Sequence, residues 1–235
     1  MRNFKQLPIK GIFFILTICL FMFACTKDKY YFDGGKSNAV FNGTTLEYLK
    51  SNPRSFDTIV KIIELAGMQK VFTEDTLTFF APQDYSVNLL MRGVNSILFV
   101  YGKDTLKTLN DVDPGIWRKY LSNYIYRGAN KVKDYPQLDV NAKAIYAGQS
   151  YIAYNGEVFN IGVKYNDAGG VKYSGYRQLL LSYIPNVAQP LINWITIPVT
   201  SSDIQPHHAV VHVLSTEAPF GADPSNLAQD VLLSK

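Results

Sequence analysis

Of 235 residues only two are cysteine and three are histidine. Both cysteines, Cys19 and Cys25, lie in the first twenty-five residues, so the rest of the chain has neither a disulfide nor a thiolate nucleophile. Long hydrophobic runs are missing too. Gly11 to Ala24 is uncharged and almost wholly apolar, but its 14 residues fall short of the roughly 20 that cross a bilayer as a helix. Neither charge sign dominates. Removing Arg2, Lys5 and Lys10 from the count leaves 20 basic against 19 acidic residues, which excludes the basic face that nucleic acid requires. There is no Gly-x-Ser-x-Gly elbow and no His-Glu-x-x-His pair. Gly35-Lys36-Ser37 resembles the tail of a phosphate loop, yet Tyr30 stands where that motif needs its first glycine. No period of 20 to 50 residues recurs, which argues against a solenoid or propeller. These absences leave no residue set that nominates catalysis or a cofactor.

The first twenty-five residues carry a clear signal. Arg2, Lys5 and Lys10 precede the apolar run, and small Ala24 closes it directly before Cys25. That ending, Met22-Phe23-Ala24-Cys25, resembles a bacterial lipobox, with Met22 where Leu is usual. The resemblance implies that Cys25 becomes the first mature residue and carries acyl chains, so that a lipid anchor ties the protein to a membrane. The expected location is the cell surface side of a Gram-negative outer membrane. The expected boundaries are a signal peptide over 1–24, a flexible tether over 25–43, a domain over 44–220, and a tail or short helix over 221–235. About 200 residues without a disulfide suffice for a self-supporting core.

Periodicity divides that domain into a helical first half and a β-rich second half. Thr44 and Glu47 have capping-box spacing for a helix through Leu49, stopped by Pro53. Phe56, Ile59, Val60 and Ile63 form a helical stripe that Gly67 ends. Leu77 to Ala81 reads as a strand, Gln83 to Met91 as a helical turn or two, and Val94 to Tyr101 is ambiguous. Asp113-Pro114 marks another helix start. From Lys143 the pattern changes. Asn155-Gly156 predicts a two-residue type I′ hairpin turn, and further apolar runs follow to Leu214. The class is therefore α+β, and 16 Tyr and 14 Phe suit its strands.

Two segments resemble the signature blocks of the fasciclin-like domain. One is Leu77-Thr78-Phe79-Phe80-Ala81-Pro82-Gln83-Asp84; the other is Asp203-Ile204 with Ala209-Val210-Val211-His212-Val213-Leu214 and the later Pro219. The resemblance covers roughly Thr44 to Phe220. It implies helices packed on a β-sandwich or wedge, a structural role for Ala81, Pro82, Asp84 and His212, and an adhesion or ligand-binding module. Asn123 and Tyr124 stand where integrin-binding members often have Tyr-His. The stretch from Val132 to Val199 is longer than usual and implies elaborated hairpins.

The implied partner is an extracellular glycan or an envelope protein. The alternative is a structural accessory subunit of an outer-membrane nutrient-uptake complex, with no ligand of its own. Tyr151, Tyr154, Tyr173 and Tyr176 are the candidate contacts, since a phenol offers both an apolar face and a hydroxyl. His208 and His212 with Asp203 or Glu217 have a composition that could hold zinc, but His212 matches a core-strand histidine, and no metal is expected. Asp111 and Asp113 are read as helix caps.

Overall fold

The computed structural model describes residues 39–186 and 188–234. Cys25, the signal segment and most of the tether lie outside the described residues. Among those described, no helix is long and apolar enough to cross a membrane.

Hydrogen-bonded structure begins before the expected Thr44. Gln205 N–H donates to the Ala39 carbonyl at 2.7 Å, and Phe41 N–H donates back to Gln205 at 3.0 Å. Helix α1 (Thr45–Ser51) then opens on the anticipated capping box: Thr44 Oγ1 accepts from Glu47 N–H at 3.2 Å, and Glu47 Oε2 accepts from Thr44 N–H at 2.7 Å. Those bonds hold the Glu47 carboxyl below its ordinary pKa. Pro53 does more than stop α1, because it is the first residue of α2 (Pro53–Leu65). A short helix α3 (Gln69–Glu74), which periodicity did not reveal, leads into strand β1 (Leu77–Ala81). Helix α4 runs from Asp84 to Val100, so the ambiguous Val94–Tyr101 stretch is mostly its continuation. Asp113 caps helix α5 (Pro114–Leu121) by accepting from Gly115 N–H at 2.7 Å.

The strands that follow are β2 (Ile125–Arg127), β3 (Gln149–Ile152), β4 (Val158–Tyr165), β5 (Arg177–Tyr183), β6 (Ile195–Ile204) and β7 (Ala209–Leu214), and helix α6 (Pro224–Leu233) ends the described chain. They form one sheet in the order β2-β1-β7-β6-β5-β4-β3, not two separately bonded layers of a sandwich. β6 joins the two parts of the sheet: its first half pairs with β5 and its second half pairs with β7 across register shifts between Val199 and Ile204. Asp203 takes a φ of 60° at that irregularity. The two sequence blocks prove to be neighbours. β1 and β7 are parallel partners, with Phe80 opposite His212.

Side-chain alternation gives β1 two different surroundings. Phe79 meets Phe72 of α3 edge-on at 4.9 Å. Phe80 joins a set of rings formed with Tyr126, Tyr135 and His212, at centroid distances of 5.5, 6.3 and 5.1 Å. Residues 136–138 bond along β4, Leu138 N–H donating to the Val163 carbonyl at 2.9 Å, and a Cβ on Gly162 would collide with the fully buried Leu138. α2 packs on α4 and α5, and α6 packs on α4, so the C-terminal residues belong to the same core through Leu227, Ala228 and Val231.

Candidate functional site

Pro82 ends β1 and Asp84 begins α4 with its carboxylate turned to α2. Asp84 Oδ1 accepts from Thr58 N–H at 2.9 Å and Ile59 N–H at 3.2 Å, locking the two helices together. Ala81 is fully buried, and Gln83 Nε2 donates to the Leu214 carbonyl at 2.8 Å. His212 is also fully buried. Its Nδ1 accepts from Asp203 N–H at 3.2 Å, and its Nε2 bonds the Asn130 carbonyl at 3.0 Å. An imidazole that accepts at one nitrogen and donates at the other is neutral. Burial lowers its pKa, in keeping with that state, so its 4.0 Å approach to Asp203 is no ion pair. His207 lies 3.3 Å from Asn42 Oδ1, and His208 occupies a turn at φ 59°. Among the described residues no three His, Cys, Asp or Glu side chains are placed to hold a metal. Asp111 and Asp113 both cap backbone amides.

The four candidate tyrosines do not form one surface. Tyr151 packs inward on Tyr135 at 5.4 Å. Tyr154 sits at the β3–β4 tip, 42% exposed, whereas Tyr173 and Tyr176 lie beyond the far end of β4. Tyr173 donates its hydroxyl to Asp139 at 3.1 Å and meets Tyr146 edge-on. Tyr176 is 68% exposed. Separation along β4 explains the scatter, because loops at opposite ends of a strand cannot share a ligand-sized site.

The hairpin itself differs from the type I′ expectation. Gly156 has a φ of 91°, but Asn155 does not take a positive φ; Ala153 pairs with Glu157 across a three-residue loop. The cause is a tertiary contact. Asn155 Nδ2 donates to the Lys119 carbonyl at 3.0 Å and to Asn123 Oδ1 at 2.6 Å, fastening the tip to the end of α5.

That junction creates a polar cleft of about 230 Å³. It is lined by Asn123 and the end of α5, by Asn155 and Glu157 of the hairpin, by Tyr183, and by Asn226, Gln229 and Asp230 of α6. Asp230 is held through Oδ2, which accepts from Tyr120 OH at 2.8 Å and pairs with Lys119 at 2.7 Å. Gly221 also lines the cleft, with a φ of 80° and its N–H donating to the buried Tyr124 hydroxyl at 2.7 Å. A Cβ there would stand 2.9 Å from the Tyr120 ring. Burial, then the Asp230 carboxylate, raises the Tyr120 pKa. Burial first, with nearby Glu157 adding to it, raises that of Tyr183. Both therefore stay hydroxyls that donate and accept. Sequence reasoning missed this site because its amides come from three segments distant in the chain, and only Asn155-Gly156 carried a local signal.

No protein family model matches the chain, and no curated protein matches it. Among solved structures it is similar to a FAS1 domain pair from the insect cell adhesion molecule fasciclin I, at 16% identity and a TM-score of 0.47. The match covers 73% of this chain and 49% of that one, so the chain spans about half the length of that structure.

Proposed function

We propose that this chain is an envelope-tethered adhesion or ligand-binding module that meets its partner, an extracellular glycan or an envelope protein, at the cleft between α5, the β3–β4 tip and α6. The observation that carries this reading is the convergence of three separate elements on a preorganised polar hollow. Asn155 and Asp230 are each fixed by two contacts before any ligand arrives, which lowers the ordering cost of binding. The site is placed on the tip of a hairpin and the ends of two helices, where sequence can vary without disturbing the core.

Binding of solubilised envelope components and arrayed glycans to wild type, Asn226→Ala and Gln229→Ala tests the site. A partner held in the cleft should lose at least about fivefold in affinity, roughly 1 kcal/mol, while circular dichroism stays unchanged. Equal binding by all three proteins would place the contact elsewhere.

The tether is a separate part of the proposal. It rests on the basic residues, the short apolar run and Ala24-Cys25. Several acyl chains hold a membrane stably where one does so only marginally. A fatty-acid probe should label wild type and miss Cys25→Ala; equal labelling of both would end the lipoprotein reading.

A further inference from the structure

We infer that the ligand seated in this cleft is an uncharged sugar, an inference that rests on the cleft being the contact site. Hydroxyl groups of a sugar each donate and accept, and the cleft wall answers in kind. Asn123, Asn226 and Gln229 offer carboxamides, and Tyr183 offers a phenol. Asn155 is already used within the protein, its Nδ2 donating twice and its Oδ1 accepting from Glu157 N–H at 3.1 Å. The Asn123 amide nitrogen and the Gln229 amide have no hydrogen-bond partner among the described residues.

Charge narrows the class. The cation lining the cleft is Lys119, and its ammonium lies 2.7 Å from Asp230. Glu157 adds a second carboxylate. A uronate, sialate or phosphate would meet that surplus negative charge with no unpaired cation to offset it, and like charges in a partly desolvated site repel strongly. A neutral ring meets acceptors and donors without that cost. Tyr183, its ring 5.5 Å from Phe159, lines the cleft as an aromatic residue, a type that suits the C–H groups of a sugar ring. The volume of about 230 Å³ suits one or two rings and not a folded peptide segment.

Titration calorimetry and saturation-transfer NMR on the intact chain test this, with neutral oligosaccharides and their uronate-bearing counterparts as probes. At least one neutral member should bind, and its uronate counterpart should bind at least about tenfold more weakly. Gln229→Ala and Asn226→Ala should each weaken binding at least about fivefold, and Asn141→Ala, beyond the other end of β4, should not. A uronate that binds as tightly as its neutral counterpart overturns the sugar class and leaves the cleft standing. So does a panel with no binder at millimolar concentration, if an envelope partner is lost in the same cleft variants. Neutral-sugar binding that both cleft variants preserve overturns the cleft reading itself.

Discussion

Trp117→Ala should destabilise the fold by about 3–5 kcal/mol, the range for truncating a buried large aromatic. Trp117 is fully buried on α5, edge-on to Phe220 at 6.2 Å, and its Nε1 donates to the Leu109 carbonyl at 2.9 Å. The substitution therefore opens a cavity and leaves the Leu109 carbonyl with only the longer 3.4 Å bond from Val112 N–H. Trp117→Phe separates the two effects. It keeps most of the packing and should cost about 1–2 kcal/mol, mainly from the lost hydrogen bond. Urea unfolding with an unchanged m-value is the measurement. Fluorescence adds a check, because the chain's other tryptophan, Trp194, is only half-buried beside Lys143. Trp117→Phe should shift the emission to the red. A cost under about 1 kcal/mol for Trp117→Ala would mean that α5 is not seated as described. Because α5 also carries Lys119 and Tyr120, the same variant should weaken any ligand held in the cleft.

Local chemistry wrote much of the α-helical half into the sequence. The Thr44–Glu47 box and the Asp113-Pro114 start needed only neighbouring residues, and both stand in the structure. Elements governed by distant contacts were harder to read. The stretch Val94 to Tyr101 was ambiguous, yet it continues α4 through Gly93, where a Cβ would approach Pro224 of α6 to 2.8 Å. Nothing near residue 93 reveals Pro224. The pairing of β1 with β7 joins Leu77 to Ala209, and no local period records a partner that far away. The cleft shows the same limit: amides at 123, 155, 226 and 229 become a site only when the hairpin tip, α5 and α6 meet. The tyrosines show the limit again: alternation gives the side of a strand but not which loops share an end, so nothing in the sequence showed that a whole strand separates Tyr154 from Tyr173.

His212→Ala should cost about 3 kcal/mol or more. It takes from the part-buried Asp203 N–H and Asn130 carbonyl the bonds they make to the ring, at up to about 1–3 kcal/mol for each group, and removes a ring packed 5.1 Å from Phe80. His212→Gln can offer one acceptor and one donor and should recover part of the loss. The pH dependence carries a second signature. The folded-state pKa of His212 lies below the ordinary 6.5 because burial disfavours the imidazolium. Below pH 6.5 the unfolded chain takes up a proton that the folded chain refuses. The contribution is therefore fully present above about pH 6.5 and is lost as pH falls, by at most about 1.4 kcal/mol per pH unit, until the folded-state pKa is reached. Glu47 and Asp111, whose carboxyls are held below their ordinary 4.5 and 3.8, act in a lower window. Between pH 6.5 and 5 the stability of wild type should fall more steeply than that of His212→Gln. Parallel slopes would show that His212 does not titrate with folding. Chelator should leave the melting temperature of wild type unchanged, since both ring nitrogens are committed to hydrogen bonds. A large drop on chelation would instead make the histidine a metal ligand and overturn the structural role argued for it.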